Sequence, residues 1–105
     1  MTDKVLVLTT AGSEEEARQI ATELVERRLA ACVNIVPQIQ SVYRWEGKVE
    51  TAEEFLLIIK TTKTRSADVQ AAITELHSYE LPESIVISME NGSAEYLKWI
   101  EESVG

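Results

Sequence analysis

Residues 5–8 (Val-Leu-Val-Leu), 55–59 (Phe-Leu-Leu-Ile-Ile) and 85–87 (Ile-Val-Ile) are apolar at every position. Successive side chains on a strand point to opposite faces, so a strand apolar throughout needs cover on both. The chain can supply that cover on one face. Ser13-Glu14-Glu15-Glu16 reads as a capping box, in which the Ser13 hydroxyl accepts from the Glu16 N–H and the Glu16 carboxylate reaches back to the Ser13 N–H. Ala17, Ile20, Ala21, Leu24, Val25 and Leu29 then recur at helical spacing, with Arg27 and Arg28 at the end that favours cations. Thr64 or Ser66 is the expected cap of a second helix, which carries Val69, Ala72, Ile73 and Leu76. A short terminal helix over residues 94–104 carries Leu97, Ile100 and Val104.

Residues 32–45 read as a second strand, with Val33 and Ile35 alternating with Asn34. Pro37 has no N–H to donate and implies an edge position or a bulge. Trp45-Glu46-Gly47-Lys48 is a tight reversal with Gly47 at positive φ, leading into a third strand. The hairpin over residues 33–62 is long beside typical strands of ~5–6 residues. The order β-α-β-β-α-β plus a helix is the ferredoxin-like α+β arrangement, an antiparallel sheet with two helices on one face. It forms a single domain over residues 1–105. An uncovered apolar face of this size is an aggregation liability, so the pattern predicts that further subunits bury it, with the long hairpin as the arm of that contact.

Composition excludes several classes. Ten Lys and Arg stand against eighteen Asp and Glu, a net charge of −8. That sign repels nucleic acid phosphates and anionic membrane surfaces, so neither is an expected partner. No apolar run approaches the ~20 residues of a membrane span. The start of the chain does not read as a signal peptide, and the expected location is cytoplasmic. A single Cys forms no internal disulfide.

The same scarcity bounds the chemistry. There is no G-x-S-x-G elbow, no P-loop and no G-x-G-x-x-G, and one His defines no triad, so the chain reads as a non-enzyme. Cys32 sits among small apolar residues, either as an inert thiol or as a soft metal ligand. His77 ends the second helix, where it can serve the helix dipole or bind a metal. One His and one Cys cannot complete a four-ligand site within one chain. Any metal site is therefore shared between subunits or completed by carboxylates at the surface. Tyr43, Trp45, Tyr79 and Trp99 pack an interface or, with Lys60, line a cleft between subunits for a small ligand.

Five segments in register resemble the CutA family of divalent-cation tolerance proteins. They are Leu29-Ala30-Ala31-Cys32-Val33-Asn34-Ile35-Val36-Pro37, Ser41-Val42-Tyr43-Arg44-Trp45-Glu46-Gly47-Lys48, Lys60-Thr61-Thr62, His77-Ser78-Tyr79-Glu80-Leu81-Pro82-Glu83 and Tyr96-Leu97-Lys98-Trp99. The resemblance implies a homotrimer similar in architecture to the PII signalling proteins, no established catalysis, no required cofactor, and a link to tolerance of copper and other divalent metals. It implies His77 as a metal ligand, Trp45, Lys60 and Tyr79 in a ligand cleft, and Tyr43 and Trp99 at the interface. The chain departs from the family pattern at Ser78, where Pro is usual, and at Gln38, where Gly is usual. Thr9 stands where some members carry Cys, and Leu76 where some carry a second His. The resemblance thus leaves copper His77 alone, or an effector in the intersubunit cleft as the alternative.

Overall fold

The computed structural model describes residues 1–105. Its elements are β1 (Lys4–Ala11), α1 (Glu14–Glu26), β2 (Cys32–Trp45), β3 (Lys48–Thr62), α2 (Ser66–Leu76), β4 (Ile85–Ser88) and α3 (Ala94–Ser103). The strands form one antiparallel sheet in the order β2-β3-β1-β4. β1 runs against β3 from Lys4↔Thr62 to Ala11↔Phe55, and against β4 from Val5↔Ser88 to Leu8↔Ile85. This is the expected ferredoxin-like α+β fold. No helix is long and apolar enough to cross a membrane.

Alternation along the strands sorts the core. Val5, Val7, Leu57 and Ile59 face α1 and α2 and pack with Ile20, Leu24, Val69 and Ile73, all buried. Leu6, Leu8, Leu56 and Ile58 point to the other face and are half-buried. α3 packs on β3 and β1. Its Ile100 is fully buried but lies outside the main core, and Lys60 Nζ stands 5.7 Å from the centroid of the Tyr96 ring. α3 therefore covers part of the second face. β4 is left as a short exposed edge, with Ile85, Val86 and Ile87 each 40% or more accessible.

β2 and β3 pair from Cys32↔Lys60 to Trp45↔Lys48 and extend beyond the sheet as an arm. The protomer measures 44 × 26 × 22 Å, with a radius of gyration of 14.2 Å. A compact chain of this length has about 13 Å. Val42 and Val49 on the arm are 69% and 65% exposed. Pro37 does mark a bulge. Val36 pairs with Leu56 and Ile39 with Glu54, so Pro37 and Gln38 together oppose Phe55. Gln38 adopts φ 58°, the left-handed region that favours glycine. At the hairpin tip Glu46 (φ 49°) and Gly47 (φ 79°) make a two-residue turn with both φ values positive, the type I′ pattern.

The helix termini agree with the sequence in part. Ser13 Oγ accepts from the Glu16 N–H at 3.1 Å, as expected. Past the other end of α1, Leu29 N–H reaches Leu24 O and Arg28 N–H reaches Val25 O, a Schellman closure with Arg28 at φ 58°. The cap of α2 differs from expectation. Arg65 occupies it in a helical conformation with no side-chain cap bond, so neither Thr64 nor Ser66 fills that role. Ser66 Oγ instead donates to Lys63 O at 2.8 Å, and Arg65 pairs with Asp68 at 3.1 Å.

Candidate functional site

The end of β1, the arm and the loop after α2 meet around Tyr79. Pro82 disfavours helix at Leu81, and α2 has already stopped at Leu76, so residues 77–84 cross the end of β1 as a loop. His77 closes α2, its N–H donating to Ile73 O at 2.9 Å. Its side chain is fully buried. Nδ1 accepts from the Tyr79 N–H at 3.1 Å, so the ring proton is on Nε2, which donates to Thr10 O at 2.6 Å. Nε2 thus fastens the loop to β1, and Nδ1 fixes the turn of the loop at Tyr79. A metal at His77 has to displace one of these bonds.

Glu16 takes part in the same fastening. Its carboxylate does not return to the Ser13 N–H as the capping box requires. Oε2 accepts from the Ser78 N–H at 3.1 Å, and Oε1 stands 3.7 Å from His77 Nδ1. The reciprocal half of the box is given up to a partner 62 residues away.

Tyr79 stacks at a tilt on His77, with ring centroids 4.4 Å apart, and its hydroxyl donates to Glu54 Oε2 at 2.7 Å. Glu54 comes from β3 just beyond the bulge and is 7% exposed. Burial first, and then the bond to Glu54, hold the Tyr79 phenol well above its ordinary range, so it remains a donor. Gly12 leaves room for this hydroxyl, because a Cβ there would lie 2.9 Å from Tyr79 Oη. Sequence reasoning did not single out Glu54 or Gly12, and it gave Glu16 only a capping role. Gly12 and Glu16 stand where a strand ends and a helix begins, and Glu54 sits in an acidic stretch of the arm. Local context accounts for all three.

The arm and the loop enclose a cleft of about 640 Å³. Tyr43, Trp45 and Tyr79 line it with Glu54, Glu80 and Glu83. Two expected cleft residues, Trp45 and Tyr79, are therefore brought together, and Tyr43 joins them. Lys60 is elsewhere. It pairs with Leu6 at the far end of β3 and lies near Tyr96. Trp99 is on α3, tilted against Tyr96 with centroids 5.4 Å apart, and is 43% exposed.

Cys32 is half-buried, and its nearest polar contact is Asn34 Oδ1 at 3.9 Å. Thr9 is fully buried on the helix-facing side, and its Oγ1 has no hydrogen-bond partner. No three His, Cys, Asp or Glu side chains converge within the protomer as a metal site requires.

Comparison with known proteins gives these features a family. Residues 5–103 match the family CutA1, described as "CutA1 divalent ion tolerance protein". The divalent-cation tolerance protein CutA of Thermus thermophilus is 47% identical over 100 residues, covering 95% of this chain and 97% of that protein. The corresponding protein of Archaeoglobus fulgidus is 47% identical over 98 residues, covering 93% and 95%. The crystal structure of CutA from Xylella fastidiosa superposes with a TM-score of 0.97 at 38% identity, covering 99% of this chain and all of that one. The solved A. fulgidus structure, described as a periplasmic divalent cation tolerance protein, superposes with a TM-score of 0.94 at 45% identity over 97% and 99% of the two chains. With the family match spanning nearly its whole length, the chain belongs to the CutA1 family of divalent ion tolerance proteins.

Proposed function

We propose that the chain acts as a non-catalytic homotrimer in the response to divalent cations, copper foremost, and that it does so by binding a small effector in the cleft between the arm and the loop after α2. The observation that carries the reading is the cleft itself. It is a concavity of about 640 Å³ with three aromatic walls, held open by the Tyr79–Glu54 bond and the two bonds of His77. Such a cavity matches the size and lining of small-molecule sites. The trimer is supported by the half-buried second face of the sheet, the apolar β4 edge and the projecting arm. All three are surfaces that a subunit contact would remove from water. The free thiol of Cys32 suits the reducing cytoplasm.

Direct copper binding is the second reading. It is favoured by the Glu16 carboxylate 3.7 Å from His77 Nδ1, which would sit beside a metal on that nitrogen once the Tyr79 N–H let go. Calorimetric titration with Cu(II), comparing the unaltered protein with His77→Ala, separates the two. The effector reading expects His77→Ala to leave Cu(II) binding unchanged, because any weak attraction belongs to the charge of about −24 per trimer. Loss of a stoichiometric Cu(II) site in His77→Ala would instead establish the copper reading. Sedimentation of a stable monomer at micromolar concentration would refute the trimer.

A further inference from the structure

The turn between β4 and α3 holds a reactive pair remote from the cleft. Asn91 is followed by Gly92, and both are exposed. The Gly92 N–H donates to the Asn91 side chain, with 2.8 Å between N and Oδ1. Cγ lies one carbonyl bond of about 1.2 Å from that oxygen, so it is within about 4 Å of the nitrogen. Small rotations within these two residues bring the two atoms to attack distance. Gly92 has no Cβ to shield its nitrogen. Glu90, Asn91 and Gly92 make no backbone hydrogen bond, so no ladder has to open. The turn follows Met89, whose carbonyl accepts from the Thr2 N–H at 3.2 Å. That is the end of the sheet opposite the one where the arm extends beyond Ala11↔Phe55. Asn34, the other asparagine, is held differently. It lies within β2, paired with Ile58, and β-branched Ile35 follows it.

From this arrangement we propose that Asn91 is a site of covalent modification, converted through a succinimide to aspartate and isoaspartate, and that the isoaspartate form loosens α3. The Gly92 nitrogen bonds to Cγ as the bond from Cγ to Nδ2 breaks. Nδ2 leaves as ammonia with the proton given up by the Gly92 nitrogen. Water then opens the ring. Breaking the bond from nitrogen to Cγ gives ordinary aspartate. Breaking the bond from nitrogen to the backbone carbonyl carbon gives isoaspartate, whose main chain runs through Cβ and Cγ and is one carbon longer. The exchange consumes one water, releases one ammonia and needs no oxidant or reductant. The longer chain enters α3 directly. Ser93 comes next, its Oγ accepting from the Tyr96 N–H at 3.3 Å and its carbonyl from the Leu97 N–H at 3.0 Å. Gly92 itself rests on Leu97, since a Cβ there would lie 3.0 Å from Leu97 Cδ2. On the other side Met89 is tied to Thr2 and Lys4. An extra carbon between these fixed points displaces Ser93 from its capping position and frays the first turn of α3. Ordinary aspartate keeps the chain length and sets its charge near the positive end of the helix, so the cap survives.

The test incubates the assembled protein in mildly alkaline buffer and follows it by peptide mapping, with isoaspartate identified by electron-based fragmentation. Aspartate and isoaspartate are expected together at position 91, accumulating about tenfold or more faster than any change at Asn34. Asn91→Gln, in which the corresponding ring closes far more slowly, should suppress the conversion. Hydrogen exchange of the Tyr96 and Leu97 amides should be about tenfold faster in the isoaspartate fraction. Asn91→Asp, which carries the charge without the added carbon, should leave that exchange unchanged. Conversion at position 91 no faster than at Asn34 overturns the site. Aspartate without isoaspartate indicates direct hydrolysis and overturns the cyclisation. Unchanged exchange in the isoaspartate fraction, or equally raised exchange in Asn91→Asp, overturns the loosening of α3 by the longer chain.

Discussion

Replacing Gly12 with alanine sets a methyl group against the Tyr79 hydroxyl, and the size of the effect depends on whether that hydroxyl is there. The new Cβ would lie 2.9 Å from Oη but 3.6 Å from Cε1 and Cζ of the ring. The first distance is too short to persist, whereas the second is ordinary contact. In the unaltered protein Tyr79 must swing away, and its 2.7 Å bond to Glu54 stretches or breaks. A hydrogen bond to a charged group contributes about 1.5–3 kcal/mol, so Gly12→Ala should cost about 2 kcal/mol. Tyr79→Phe alone should cost a similar ~2 kcal/mol, since it leaves buried Glu54 without its donor. With Phe at 79 the obstruction is gone. Gly12 is not held at positive φ, so alanine there should be neutral or stabilise by ~0.5 kcal/mol through the unfolded chain. The double mutant should therefore be no less stable than Tyr79→Phe, a coupling of about 2 kcal/mol between two residues 67 positions apart. Denaturant unfolding of the four proteins at one protomer concentration measures it, because assembly makes apparent stability concentration-dependent. In thermal melts each kcal/mol corresponds to roughly 4–8 °C. An equal cost for Gly12→Ala in the Tyr and Phe backgrounds would refute the placement of Tyr79 over Gly12.

Other consequences are open to simple measurements. Gln38→Gly should stabilise the protein by about 1 kcal/mol in denaturant melts, because a side chain at φ 58° carries a strain that glycine lacks. Thr9→Val should also stabilise, by ~1 kcal/mol, by removing a buried hydroxyl that has no partner. Charge on the β4 edge, as in Val86→Lys, should shift sedimentation toward smaller species while leaving the far-ultraviolet circular dichroism of the protomer unchanged. Alkali should destabilise the fold. Above pH 10.0 the unfolded chain loses the Tyr79 proton that the native state retains, so the unfolding free energy falls as pH rises toward the raised native value. The contribution is complete below pH 10.0, and Tyr79→Phe should flatten that slope in alkaline unfolding curves.

The cleft shows where local signals stop. Ser13 was legible as a cap because capping needs an oxygen three residues from an amide, and the chain brings these together by itself. The Glu16 carboxylate was assigned to the same box and went elsewhere, because the Ser78 N–H competes for it only once α2 has packed against α1. Lys60 was grouped with the aromatics in a cleft between subunits. Within one protomer the β3 register sets it at the end of the strand away from the arm. His77 could be read as a ligand or a terminator while its surroundings were unknown, and its bond to Thr10 joins segments 67 positions apart in sequence.

Properties with a short period were settled before folding is considered. Strand and helix order, the bulge at Pro37, the tight turn at Gly47 and the need to cover two faces of the sheet all follow from side-chain alternation, backbone sterics and hydrophobicity within a few residues. What only the tertiary structure decided was which polar groups meet. Glu54 against Tyr79 and Glu16 against Ser78 depend on register and on helix packing, which bring together residues 25 to 62 positions apart. Burial then gives those few contacts their strength, since withdrawal from water makes the sign of each charge matter most.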